Sequence, residues 1–160
     1  MMEIYHFSNE VINEFRFTKP KRDYSQASGN GIYFTTSFEK GSLKYGQRSK
    51  FCYVCNFSGN VDSILNLGEF DAMYFDGRKV HAAYLVSENF KRIISGIDLI
   101  KEPEICIENI SGKAFKWLKS KGFSAIYGMQ CEGYACPEFC VLDPQFIAIK
   151  DIVKYPYLLR

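Results

Sequence analysis

The hydrophobic pattern of this chain comes in short blocks of two different periods. Met2 to Phe7 alternates weakly between apolar and polar residues and predicts a first strand. Behind Ser8 or Asn9 as a cap, Val11, Ile12 and Phe15 share one side of a helical wheel, so Asn9 to Phe15 is expected to form a short amphipathic helix. Lys19 to Asn30 is polar and carries Pro20, Gly29 and Asn30, the composition of a loop. Gly31 to Thr35 predicts a second strand. Phe38 to Gln47 predicts a short helix with Leu43 turned inward, and Phe51 to Phe57 a third strand closed by Gly59 and Asn60. Val61, Ile64, Leu65 and Leu67 give Val61 to Leu67 a helical pattern.

The second half of the chain is less even. Asp71 to Ile110 has no clear period: Tyr84, Leu85, Phe90, Ile93 and Ile94 are loosely helical in spacing, and Ile105 to Ile110 is extended. Lys113 to Lys121 predicts an amphipathic helix with Ala114, Trp117 and Leu118 inward, its lysines in water and Gly122 as its stop. Strands are expected at Phe123 to Tyr127, at Glu138 to Leu142 before Asp143-Pro144, and at Ile147 to Val153. The sum is an α+β fold with a mostly antiparallel sheet and short helices, in a single domain over residues 1–160.

Composition sharpens this picture. A 16% share of aromatic residues favours strands and stacking surfaces over a helix bundle. A net charge of +2 argues against a partner held mainly by phosphate neutralisation, which leaves nucleic acid the less favoured partner. No run approaches a membrane span, and Met1 to Ser8 has neither the basic start nor the apolar core of a secretion signal. The expectation is a cytoplasmic chain, without a membrane partner and with reduced thiols. Cys52 and Cys55 have the spacing of a zinc knuckle, but within a strand residues three apart point to opposite faces. Cys131, Cys136 and Cys140 have no standard ligand spacing. Free thiols, buried or half-buried, are expected, and no metal.

Three separated segments carry the candidate chemistry. Ile4-Tyr5-His6-Phe7-Ser8 puts one of the two histidines at the end of the first strand. Gly29-Asn30-Gly31-Ile32-Tyr33-Phe34, with Ser42 and Tyr45 beyond it, puts two tyrosines around a short helix. The first glycines precede a strand, whereas a dinucleotide fingerprint follows a strand and opens a helix, so neither a Rossmann fold nor a P-loop is indicated. Pro137-Glu138-Phe139-Cys140-Val141-Leu142-Asp143 puts a carboxylate at the head of an apolar strand. Taken singly, a histidine such as His6 is more often a satisfied core group or a surface residue, Tyr33 is more often core, and Glu138 reads also as a solvated strand end.

Taken in order, the three segments resemble the catalytic domain of ADP-ribosyltransferases of the diphtheria-toxin and poly(ADP-ribose) polymerase class, which carries a His-Tyr-Glu triad on three strands. His6-Phe7-Ser8 stands for that family's His-Gly-Ser, with Phe7 in place of the glycine. Gly29 to Phe34 matches Gly-x-Gly-Ile-Tyr-Phe, Ser42 and Tyr45 match the Ser and Tyr that follow, and Glu138 to Asp143 matches Glu-Tyr-apolar-Val-x-Asp. The resemblance implies an ADP-ribosyltransferase-like fold with a split sheet, and NAD as co-substrate. It implies Glu138, His6 and Tyr33 as catalytic residues, and His6, Phe7, Ser8, Gly31, Tyr33, Ser42 and Tyr45 as the NAD-binding set. In that scheme Glu138 stabilises the oxocarbenium-like ribose as nicotinamide leaves. Tyr33 and Tyr45 clamp the nicotinamide ring. Ser42 and the Phe7 backbone meet its carboxamide, and His6 positions the second ribose.

The resemblance further implies a stand-alone bacterial or phage effector, such as a toxin or an inhibitor of host defence, that modifies a macromolecule. A protein side chain is the favoured acceptor, contacted through the 130–137 loop with Tyr134 and through 71–110. Cys136 stands where arginine-modifying relatives carry a Glu or Gln, so an arginine acceptor is not expected. Arg16, Lys19, Lys21 and Arg22 form either a pyrophosphate contact or a solvated loop. The alternatives are NAD hydrolysis with water as acceptor, a non-enzymatic ADP-ribose or protein-binding module, and a GIY-YIG-like nuclease. For the nuclease, Gly31-Ile32-Tyr33 and Tyr45-Gly46 supply the letters, but His6 and the Glu138 strand go unexplained.

Overall fold

The computed structural model describes residues 2–17, 31–66, 74–75, 78–79, 81–82, 116, 118–129 and 136–154. Its centre is one mostly antiparallel sheet. The strands are β1 (Met2–Ser8), β2 (Ile32–Thr35), β3 (Phe51–Phe57), β4 (Ile64–Asn66), β7 (His81–Ala82), β8 (Ala125–Met129), β9 (Pro137–Val141) and β10 (Ile147–Lys154), with β5 (Tyr74–Phe75) and β6 (Arg78–Lys79) paired separately. Their order across the sheet is β10-β3-β1-β2-β9-β8-β4-β7. Among the described residues, only the β4 pairings with β7 and β8 are parallel. One helix of two turns, α1 (Phe38–Tyr45), follows β2 and runs into a 3-10 turn at Gly46–Arg48.

Alternation along the strands sorts the residues onto two faces. Ile4, Ile32, Phe34, Tyr53, Cys55, Phe57, Tyr127, Phe139 and Val141 form one buried cluster, the core face. Tyr5, Phe7, Tyr33, Thr35, Glu138 and Cys140 alternate with these and lie on the face that carries α1. Every residue of β9 is buried. A strand covered on both faces reads as a near-continuous apolar run, which explains Phe139-Cys140-Val141 and makes Glu138 the exception within it.

Most of the expected strands are present, with ends moved by a residue or two. Three helical expectations fail. Residues 9–17 form bends and extended chain rather than a helix. Glu10 N–H bonds to Ser8 Oγ, Ile12 N–H donates to Tyr53 Oη at 2.7 Å, and the Tyr53 hydroxyl donates to Glu10 O at 2.7 Å. One buried phenol thus answers backbone groups that a helix would have paired, and Phe15 is drawn into the core face. Of the helix expected from Val61 to Leu67, the described part, Val61 to Asn66, is likewise not α-helical. Asn60 caps a 3-10 turn at Val61–Ser63, and Ile64 to Asn66 then runs as β4 between β8 and β7. Leu43 is 59% exposed; it is Gly41 that faces the sheet.

Near Leu118 the expected helix is present at 116 and 118–120, with Leu118 fully buried. Gly122, at φ +87, ends it: Phe123 N–H returns to Leu118 O and Gly122 N–H to Lys119 O, both at 3.1 Å, a Schellman closure. Ala114 and Trp117, the Lys19 to Asn30 loop, and the expectations for Tyr84 to Ile110 lie outside the described residues.

Candidate functional site

The site is built on β1, β2 and β9, on the face where α1 packs against Phe7 of β1 and Thr35 of β2. Cross-strand register sets Thr35 opposite Glu138 and Tyr33 opposite Cys140, so Tyr33 and Glu138 share a face two residues apart. Glu138 is 7% exposed. Taking a carboxylate out of water costs several kcal/mol unless neighbouring dipoles or charges offset it, so a carboxylate in an otherwise apolar strand is a placement that apolar packing alone does not favour. Next to it, Thr35 Oγ1 lies 3.3 Å from Cys136 Sγ and accepts from Ser37 N–H at 3.2 Å. This ties the start of β9 to the end of β2 and fixes Glu138 against its neighbours.

Helix α1 begins at Ser37, whose hydroxyl accepts from Lys40 N–H. It sits closely on the sheet because residue 41 is glycine. A Cβ there would stand 2.6 Å from Phe7 Cε2 and 2.7 Å from Thr35 Cγ2. Phe7 fills the space under the helix, with its ring 6.3 Å from Phe38 and 6.0 Å from Tyr45. The sequence therefore compensates the bulk at position 7 by the lack of it at position 41. Ser42 is half-buried, and its hydroxyl donates to Phe38 O at 2.8 Å. Phe7, Tyr33, Ser42, Tyr45 and Glu138 thus belong to one side of the sheet.

His6 does not join them. Its ring lies on the core face, packed edge-on to Phe15 at 5.2 Å and near Phe34 at 5.5 Å. Its Nδ1 lies 2.7 Å from Tyr33 O. A carbonyl can only accept, so Nδ1 carries the proton and Nε2 of the neutral ring is an acceptor. Burial lowers the His6 pKa below the ordinary imidazole value, opposed by the bond to Tyr33. His6 therefore touches the proposed triad through the backbone of Tyr33 rather than side chain to side chain. The bond bridges a weak line in the sheet: among the described residues, Tyr5 with Thr35 is the one register pair between β1 and β2. Ser8 at the end of β1 is half-buried and caps Glu10, and Gly31 forms an isolated bridge before β2.

The four described cysteines are buried thiols. Cys52, Cys55, Cys136 and Cys140 are free and buried. Cys55 belongs to the core face, whereas Cys52 sits opposite Phe7 on the other, as their spacing requires. Burial pushes both up to about 12. Among the described residues no group of three or more His, Cys, Asp or Glu could hold a metal, and no helix is long and apolar enough to cross a membrane.

Arg16 is exposed and paired with Glu14 at 2.7 Å. It lines a groove of about 650 Å³ with Phe17, Ile147 and Ile149, beside the core face, so it stands away from Glu138. Lys19, Lys21, Arg22 and Tyr134 lie outside the described residues. Two residues beside the site, Lys40 and Lys44, were not legible as site residues, because their meaning depends on the rotation of α1 that Gly41 fixes. Comparison of the chain with protein families, with curated proteins and with solved structures finds no match.

Proposed function

We propose that the protein is an NAD-dependent ADP-ribosyltransferase that transfers ADP-ribose to a macromolecule, with release of nicotinamide. The reading rests first on Glu138, a carboxylate retained in a buried apolar strand on the same face of the sheet as Tyr33 and α1. Cleavage of the nicotinamide–ribose bond builds positive charge on the ribose, and a fixed, desolvated carboxylate stabilises that charge far better than water does. Tyr33 and Tyr45 supply ring faces for the nicotinamide, and Ser42 an acceptor for its amide.

In this reading the split sheet of the family corresponds to the line between β1 and β2. Beyond Tyr5 and Thr35 the two strands are no longer paired, so a dinucleotide at that opening could meet the α1 face with its nicotinamide half. His6 acts on that site from the opposite face, through its bond to the Tyr33 carbonyl. His6 positions the ligand and transfers no proton.

A protein acceptor fits the sequence of residues 130–136, whose Tyr134 stands four residues before Glu138. The test is nicotinamide release by purified protein with and without cell lysate. Wild type alone should release it slowly, since water intercepts the cation poorly in a closed site, and lysate should accelerate it. Glu138→Gln keeps shape and hydrogen bonding without the charge, and should slow release by at least about a hundredfold. NAD affinity should change much less. Unimpaired release by Glu138→Gln would overturn the assignment. Fast release that no lysate fraction alters would make the protein an NAD glycohydrolase.

A further inference from the structure

The rotation of α1 over the sheet separates its side chains into two groups. Taking Gly41 as the point of contact and about 100° per residue, Phe38 and Tyr45 lie about 60° and 40° to one side, Lys44 and Lys40 about 60° and 100° to the other. The aromatic side is fixed by contact: Phe38 meets Tyr5 at 5.5 Å, and Tyr45 meets Phe7 at 6.0 Å, both on β1. The lysines are therefore turned away from β1 toward β9, where Cys136 and Glu138 lie. The field at Cys136 agrees. Burial raises its pKa and the Thr35 contact lowers it, while the Lys44 and Lys40 charges lower it and the Glu138 charge raises it. Lys44 is half-buried, with Nζ 5.8 Å from the Tyr45 ring centroid. Two lysines four residues apart repel each other along a helix, so the pair works against helix stability by itself.

We infer that Lys40 and Lys44 form an anion-binding rim on the β9 side of α1 that takes a diphosphate group. Two cations separated by one helical turn match the charge of a diphosphate better than that of a single carboxylate. The rim adjoins Glu138, and in a dinucleotide the diphosphate is joined through one ribose to the carbon that Glu138 would serve. The assignment rests on the proposed function only for its natural ligand; the rim itself is a property of α1.

Titration calorimetry with inorganic pyrophosphate and with ADP-ribose tests it on wild type, Lys40→Met, Lys44→Met and the double variant. Circular dichroism confirms that each is folded. Each single change should weaken both ligands by about tenfold, the scale of one charge-assisted contact, and the double variant should lose the salt dependence of binding. Nicotinamide binding should be unaffected. If wild type binds neither pyrophosphate nor ADP-ribose, or the folded double variant binds them as tightly as wild type, the inference is overturned. Lysine-dependent pyrophosphate binding in a protein that never turns over NAD would keep the rim and discard the transferase reading. NAD turnover with a KM indifferent to both lysines would do the reverse.

Discussion

Tyr45 shows how closely the role of a side chain depends on which of its surfaces is already used. One side of its ring packs against Phe7, while the residue as a whole is half-buried. Stacking requires a ring face and is indifferent to the hydroxyl. Tyr45→Ala is therefore expected to weaken nicotinamide and its mimics by about tenfold, and Tyr45→Phe to leave them almost unchanged. Competitive binding with nicotinamide measures both, and a large loss in Tyr45→Phe would assign the hydroxyl, not the ring, to the ligand. Tyr33 and Glu138 were legible in the sequence because Gly-Ile-Tyr-Phe and an acidic residue heading an apolar strand are local patterns. The placement of His6 was not. Which face a strand residue takes follows from the register of its neighbours, and His6 shares the core face with Phe34 and Tyr53.

At the scale of elements, α1 is held by one close approach. Gly41→Ala would gain helix propensity, about 1 kcal/mol. It would also force Phe7 and Thr35 to move from contacts of 2.6 and 2.7 Å, an overpacking cost of about 1–3 kcal/mol. The cost exceeds the gain, so the melting temperature should fall by a few degrees, and the KM for NAD should rise because α1 carries Ser42 and Tyr45. A raised melting temperature with unchanged KM would show that the helix has slack on the sheet. The strands were legible from alternation, and the Leu118 helix from its period and its terminal glycine. Residues 9–15 and 61–67 misled because helical spacing of apolar residues over barely two turns is also satisfied by chain draped on a core. Tyr53 and Asn60, remote or just outside those segments, decide the outcome through side-chain hydrogen bonds.

For the molecule as a whole, buried groups with displaced proton affinities set how stability varies with pH. His6 is depressed by burial, so the unfolded chain binds its proton more readily than the folded one. Its contribution is present above the unfolded value of about 6.5 and is lost as pH falls through the folded value. Glu3 is also lowered, by its bond to Lys150 first, but from 4.5, so its contribution is lost only in stronger acid. Thermal melts from pH 8 down to 5 should show a decline that His6→Gln flattens; equal slopes would mean that the imidazole is already solvated in the native state. The same residue bears on how the sheet moves. With a single register pair joining β1 to β2, the β10-β3-β1 leaf and the β2-β9-β8-β4-β7 leaf are stitched at one rung and latched by the His6–Tyr33 bond. Sub-global opening follows the line of fewest backbone bonds. Amides on that line are thus expected to exchange with deuterium through a breathing of the two leaves, at a free energy below that of unfolding, while those between β1 and β3 exchange only when the whole chain comes apart.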